Sequence, residues 1–241
     1  MKLRTKGLAV LLLSLLLVLA FAAAQFQKSV RTVASAGSIK GLPDVAYDAQ
    51  SERYLVVWQE RSGSGDDRDI RARVLDHEGN PVGDIVALAS SGRDERLPKT
   101  AASGTSSWTV VWTTGSAIET CTVDATGQAG AIKILTGKSA RPVDRPDIGA
   151  SVRDGGLLVV WEELDTTGLS AIKGLRLGAA ADDISEPFTV ARSSDYDLRN
   201  PSISQSGDGL FVAWEKPMEA GRSDIEGRLV PAGALSEADL G

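Results

Sequence analysis

"YLVVWQE", residues 54–60, is apolar at consecutive positions, ends on tryptophan and then turns polar; "WTVVWTT" (108–114), "LLVVWEE" (157–163) and "LFVAWEK" (210–216) repeat it. A strand with one buried face alternates apolar and polar residues, so an unbroken apolar run bounded by turn residues marks a strand covered on both sides. Working outward, each phrase follows a proline, Pro43, Pro98, Pro146 or Pro201, and the prolines recur at intervals of about 50 residues, a period typical of propellers and solenoids. Between proline and phrase lie a short segment and a turn ("AQSER", "GTSS", "VRDGG", "SGDG"). A hydrophilic loop follows, then a third segment ("DIRARVLD", "AIETCTVD", "AIKGLRL", "DIEGRL"). The first three units add a turn and a fourth segment ("DIVALAS", "AIKILTG", "PFTVARS"). Four short strands per unit make a propeller blade.

The predicted fold is therefore all-β: a four-bladed β-propeller of four-stranded antiparallel blades, with repeats at about 43–90, 98–136, 146–192 and 201–230. The fourth unit lacks a full fourth segment, and "SVRTVASAG" (29–37) reads like the missing one. An N-terminal strand is thus expected to complete the last blade and protect its edge. The alternative is the front part of a propeller with more blades, because "LSEADLG" from Leu235 aligns with "ISEPFTV" from Ile184. The tryptophans read as packing between blades. Small third-segment residues, Ala72, Thr120, Gly174 and Gly227, are expected to make room for the indoles.

Lys2, Arg4 and Lys6, the apolar run from Leu8 to Phe21 and the exit Ala22-Ala23-Ala24 predict a signal peptide over 1–24, with the propeller domain over 25–241. The expected address is secreted, extracellular or cell-envelope (periplasmic), without a membrane span after cleavage. The formal net charge of −6 becomes more acidic once three leader cations are removed, which argues against nucleic acid, whose phosphates need clustered Lys and Arg. Cys121 is the only cysteine, so no intramolecular disulfide forms and core burial must hold the fold. His77 is the only histidine and falls in a predicted hairpin, which argues against a Ser-His-Asp triad or a His-rich metal site.

The combination "VAYD", "YLVVWQE" and "DIRARVLDHEGNPVG" within residues 45–83 resembles a repeat of secreted and surface proteins of bacteria and archaea. Unit two departs from it, since "AIETCTVDATGQAG" lacks the arginine. The resemblance implies a β-propeller and an extracellular address, and carries no activity with it.

With four antiparallel strands per blade, the loops joining blades share one face with the loops after the tryptophans. On that face Lys40, Arg96, Arg145 and Arg199 supply one cation per blade, and Tyr196 an aromatic for sugar stacking. These are the candidate ligand-binding residues. Asp44 and Asp147 follow the proline in units one and three and are the channel candidates, for glycoside chemistry or for a cation. Asp66, Asp67 and Asp69 in "RSGSGDDRD" suggest Ca2+ or another cation, without the spacing of an EF-hand. No other cofactor and no catalytic residue is assigned. The leading expectation is a monomeric, non-catalytic module binding an extracellular protein or glycan. The alternatives are a glycan-active hydrolase or lyase using the channel and loop carboxylates, and a structural surface scaffold.

Overall fold

The computed structural model describes residues 30–35, 37–61, 67–137, 141–153, 155–205 and 209–240. They belong to two units, Met1–Ser35 and Ala36–Gly241, and every strand lies in the second. The signal-peptide expectation falls outside the described residues.

The second unit is a four-bladed β-propeller. Blade one is β1 (Ile39–Asp48), β2 (Arg53–Arg61), β3 (Asp69–Leu75) and β4 (Val86–Ala89); blade two is β5 (Arg96–Ala102), β6 (Ser107–Thr113), β7 (Ile118–Asp124) and β8 (Lys133–Ile134). Blade three is β9 (Val143–Ala150), β10 (Leu157–Leu164), β11 (Ser170–Leu177) and β12 (Phe188–Ala191), and blade four is β13 (Arg199–Gln205), β14 (Gly209–Pro217) and β15 (Ser223–Pro231). Each sheet is antiparallel in chain order, with the post-proline strand innermost and the tryptophan strand second.

The opening phrase explains the packing. Val57, Val111 and Val160 face the following blade, while Val110, Val159, Val212 and the phrase tryptophans Trp112, Trp161 and Trp214 face the preceding one, so β6 and β10 are buried on both faces and β2 and β14 on the face toward their one neighbouring blade. Three hydrophobic clusters result, one at each junction from blade one to blade four, containing respectively Trp108 and Trp112, Trp161, and Trp214. Every phrase tryptophan also donates its indole N–H to a glutamate: Trp58 to Glu60 (3.0 Å), Trp112 to Glu119 (3.2 Å), Trp161 to Glu163 (2.9 Å) and Trp214 to Glu226 (3.4 Å). A buried indole N–H needs such a partner. Trp108, outside the repeated position, pegs blades one and two by donating to Ala46 O at 3.1 Å.

Two expectations change. The fourth sheet holds three strands, and residues 30–35 form none, so no N-terminal strand completes the last blade among the described residues. In "SVRTVASAG" the branched residues Val30 and Val33 are three apart, which in a strand puts them on opposite faces and leaves no apolar face to bury. The two third-strand glycines, in turn, make room for other side chains than indoles. A Cβ on Gly174 would lie 2.9 Å from Val190 Cγ2, and one on Gly227 would lie 2.6 Å from the Phe211 ring.

Candidate functional site at the channel mouth

The four inner strands each carry a bulge just before the proline. There Leu42 (φ 49°), Leu97 (φ 56°), Arg145 (φ 50°) and Asn200 (φ 51°) adopt the left-handed region. Non-glycine residues seldom adopt it, and a following proline disfavours helical backbone further, at a cost of about 1–3 kcal/mol each. The bulges bring these side chains, with Pro43, Pro98, Lys99, Pro146 and Pro201, around one cavity of about 230 Å3. Its wall is apolar along Leu42 and Leu97 and polar along Lys99, Arg145 and Asn200.

Side chains of one blade hold the bulge of the next. Asp44 Oδ2 accepts from Thr100 N (2.8 Å), Asp147 Oδ2 from Ile203 N (2.9 Å), Gln59 Oε1 from Leu97 N (3.2 Å), and Glu162 Oε1 from Asn200 N. The channel candidates therefore have a structural duty, each next in sequence to a cavity-lining proline. Lys99 Nζ sits 3.8 Å from Asp44 Oδ1 and close enough to act on Asp147. Burial, the largest influence, raises the Asp147 carboxyl above the ordinary aspartate range. Lys99 and the Ile203 and Ile148 N–H groups pull it back, and the charge of Asp44 adds to the rise. Burial likewise raises Glu162, against the Asn200 N–H and Arg145, whose Nε lies 3.4 Å away.

The four cations expected on this rim all stand at inner-strand bulges, and each meets a carboxylate. Lys40 faces Glu60 at 3.8 Å, Arg96 reaches Asp144 of blade three at 3.6 Å, Arg145 meets Glu162, and Arg199 meets Asp197 at 2.7 Å. Only Arg145 lines the central cavity. Tyr196 is partly buried in the connection from β12 to β13, with Lys216 Nζ 5.6 Å from its ring centroid. A larger cavity of about 600 Å3, between β12 and β15 and lined by Arg192, Trp214, Glu226, Arg228 and Glu237, lies away from the channel carboxylates. Its charged groups are already engaged: Arg192 with Glu237 at 3.3 Å, Glu226 with Lys216 at 2.8 Å, and Arg228 with Val190 O.

Of the acidic loop, Asp66 is outside the described residues, Asp67 is exposed, and Asp69 pairs with Arg71 at 2.8 Å. Among the described residues no three His, Cys, Asp or Glu side chains cluster as metal ligands. Among the same residues, no helix is long and apolar enough to cross a membrane. His77 lies in the β3–β4 hairpin, exposed beside Glu78.

Sequence reading missed the pre-proline residues as a set. Their signal was present in Leu42-Pro43, Leu97-Pro98, Arg145-Pro146 and Asn200-Pro201, but a pre-proline residue is ordinarily extended, which hides the bulge.

No protein-family model matches the sequence, and no curated protein sequence does. Solved structures match by shape. An endo-arabinase from Bacteroides thetaiotaomicron superposes with a TM-score of 0.55 at 17% identity, over 84% of this chain and 79% of that one. A GH62 hydrolase in complex with xylotriose gives 0.52 at 10% identity, over 80% and 68%. A protein of unknown function from Dyadobacter fermentans gives 0.60 at 9% identity, over 84% and 68%. At these identities the likeness establishes the fold. It also corrects the leading functional expectation: the neighbours with a stated activity act on glycans, so the non-catalytic module gives way to the glycan-active alternative.

Proposed function

We propose that the protein is a secreted glycoside hydrolase that works at the channel mouth. The observation that carries this reading is that Asp44 and Asp147, on inner strands of blades one and three, each follow a proline that lines one cavity and share Lys99, which lines it too. Glycoside hydrolysis needs two carboxyl groups in unlike environments, one holding a proton and one charged. Asp147, raised by burial, is the proton donor to the leaving oxygen; Asp44, paired with Lys99, is the carboxylate that activates water or attacks the sugar carbon. Leu42, Leu97 and the prolines offer the apolar wall for a sugar-ring face, and Arg145 and Asn200 donate hydrogen bonds to its hydroxyls. The two stated neighbours make pentose polymers, arabinan and xylan, the first substrates to try. The leader-like segment 1–24 and the resemblance to secreted repeats support export.

The test is release of reducing sugar from linear arabinan, xylan, arabinoxylan and sialyllactose by the purified protein. Asp147→Asn is expected to lower turnover about 10²–10⁴-fold, the usual worth of a general acid, while the amide oxygen still accepts from Ile203 N and only the local bond from Ile148 N is lost, so that the protein stays folded at the assay temperature. Absence of release from every polymer, or full turnover by Asp147→Asn, rules the reading out.

A further inference from the structure

Ile70, Ile118, Ile172 and Ile225 occupy one position of the repeat, each paired with the residue after the phrase tryptophan: Gln59, Thr113, Glu162 and Glu215. The first three are 0% exposed and Ile225 is 73% exposed. The same break recurs one strand inward, where Leu55, Thr109 and Leu158 are 0% exposed and their equivalent Phe211 is 48% exposed. These residues share the sheet face that looks toward the following blade. On the opposite face of blade one, Val45 is 58% exposed, while its equivalents Thr100 and Ile148 are buried against the preceding blade.

The polar couplings stop at the same place. Asp44 and Gln59 of blade one grip backbone N–H groups of blade two, and Asp147 and Glu162 of blade three grip those of blade four. Glu215, the blade-four equivalent of Gln59 and Glu162, accepts instead from the side-chain amide of Asn200 in its own sheet, at 2.7 Å. Strand β1 lies against β5, β5 against β9 and β9 against β13, and the three hydrophobic clusters fill those junctions. Among the described residues no cluster joins blade four to blade one.

We propose that one further antiparallel sheet of the same build packs between blade four and blade one and completes the ring. Blade four presents Phe211, Ile225 and Leu229, the face that elsewhere receives a tryptophan strand. Blade one presents Val45, Tyr47, Tyr54 and Val56, the face that elsewhere receives branched aliphatics. One sheet carries both complementary faces at once. A second copy of the chain covers one face, leaves its own equivalent open and propagates head to tail without closure. The inferred interface continues the three observed junctions, and its occupant brings a fifth inner strand to the channel mouth.

The test appends a copy of residues 143–191 to Gly241 through a flexible Gly-Ser linker and compares thermal unfolding and ANS fluorescence with those of the chain alone. The extended chain is expected to melt at least about 5 °C higher and to bind several-fold less ANS. Ile225→Asp is expected to leave the melting temperature of the chain alone within about 2 °C, as for an exposed site, and to cancel the gain in the extended chain. Four results overturn the proposal: unchanged melting and ANS binding on extension; a loss of 5 °C or more for Ile225→Asp in the chain alone; a dimer in light scattering that Ile225→Asp dissociates; or spontaneous disulfide formation between Val45→Cys and Ile225→Cys, which would show that the ring closes on itself.

Discussion

Glu95 is fully buried at the first junction, accepts from the Ser91 hydroxyl, and has Arg93 Nε 3.9 Å away. Burial is the largest influence on it and raises its carboxyl, against Ser91 and Arg93. Because the folded form holds its proton more tightly than the unfolded chain, stability falls as pH rises through the window between the unfolded and folded values. Glu95→Gln keeps an acceptor for Ser91 and removes the charge, so its melting temperature is expected to exceed the parent's at pH 7 and to match it at pH 3, below both values. A mutant less stable at pH 7 would assign Glu95 the role of a necessary anion for Arg93.

The second strands carry the architecture, and Trp161 is their best single probe: it is fully buried at the central junction and donates to Glu163. Trp161→Ala is expected to cost about 3–5 kcal/mol, read by urea unfolding; a loss below 1 kcal/mol would mean that the second junction is not held by its indole. These strands were legible because their apolar run, tryptophan and period are local signals. The inner-strand bulges were not, since a pre-proline residue is ordinarily extended and the left-handed turns at Leu97 and Asn200 are held by Gln59 and Glu162 of the preceding blade. The rim cations were legible as residues. Arg199 faces Asp197, two residues before it, whereas Arg96 faces Asp144 of the next blade, a partner whose approach depends on how the sheets stack. Asp44 and Asp147 were legible as a pair from their place after proline. Their grip on Thr100 and Ile203 was not.

Over the whole molecule, cohesion comes from three junctions without a disulfide, and Cys121 reports on it. The thiol sits in the first cluster, and burial pushes its pKa up to about 12. Its reaction with a thiol reagent at pH 8 is expected to follow global unfolding and to be at least 10²-fold slower in buffer than in denaturant; rapid native reaction would show that blades one and two part locally. The short last sheet was legible in the fourth unit's missing segment, whereas the uncovered faces on either side of the array were not, because the repeat predicts the same burial for Ile225 as for Ile70, Ile118 and Ile172. The pre-proline ring separates two jobs that proteins often entangle. Inter-blade hydrogen bonds hold the main chain at Leu97 and Asn200 and a proline follows at all four positions, while the four side chains project into the opening and take little part in the hydrophobic clusters. Positions 42, 97, 145 and 200 thus form an exchangeable alphabet, cheapest to write in Asn, Asp and Gly, through which descendants of this chain can acquire new selectivity without renegotiating their cohesion.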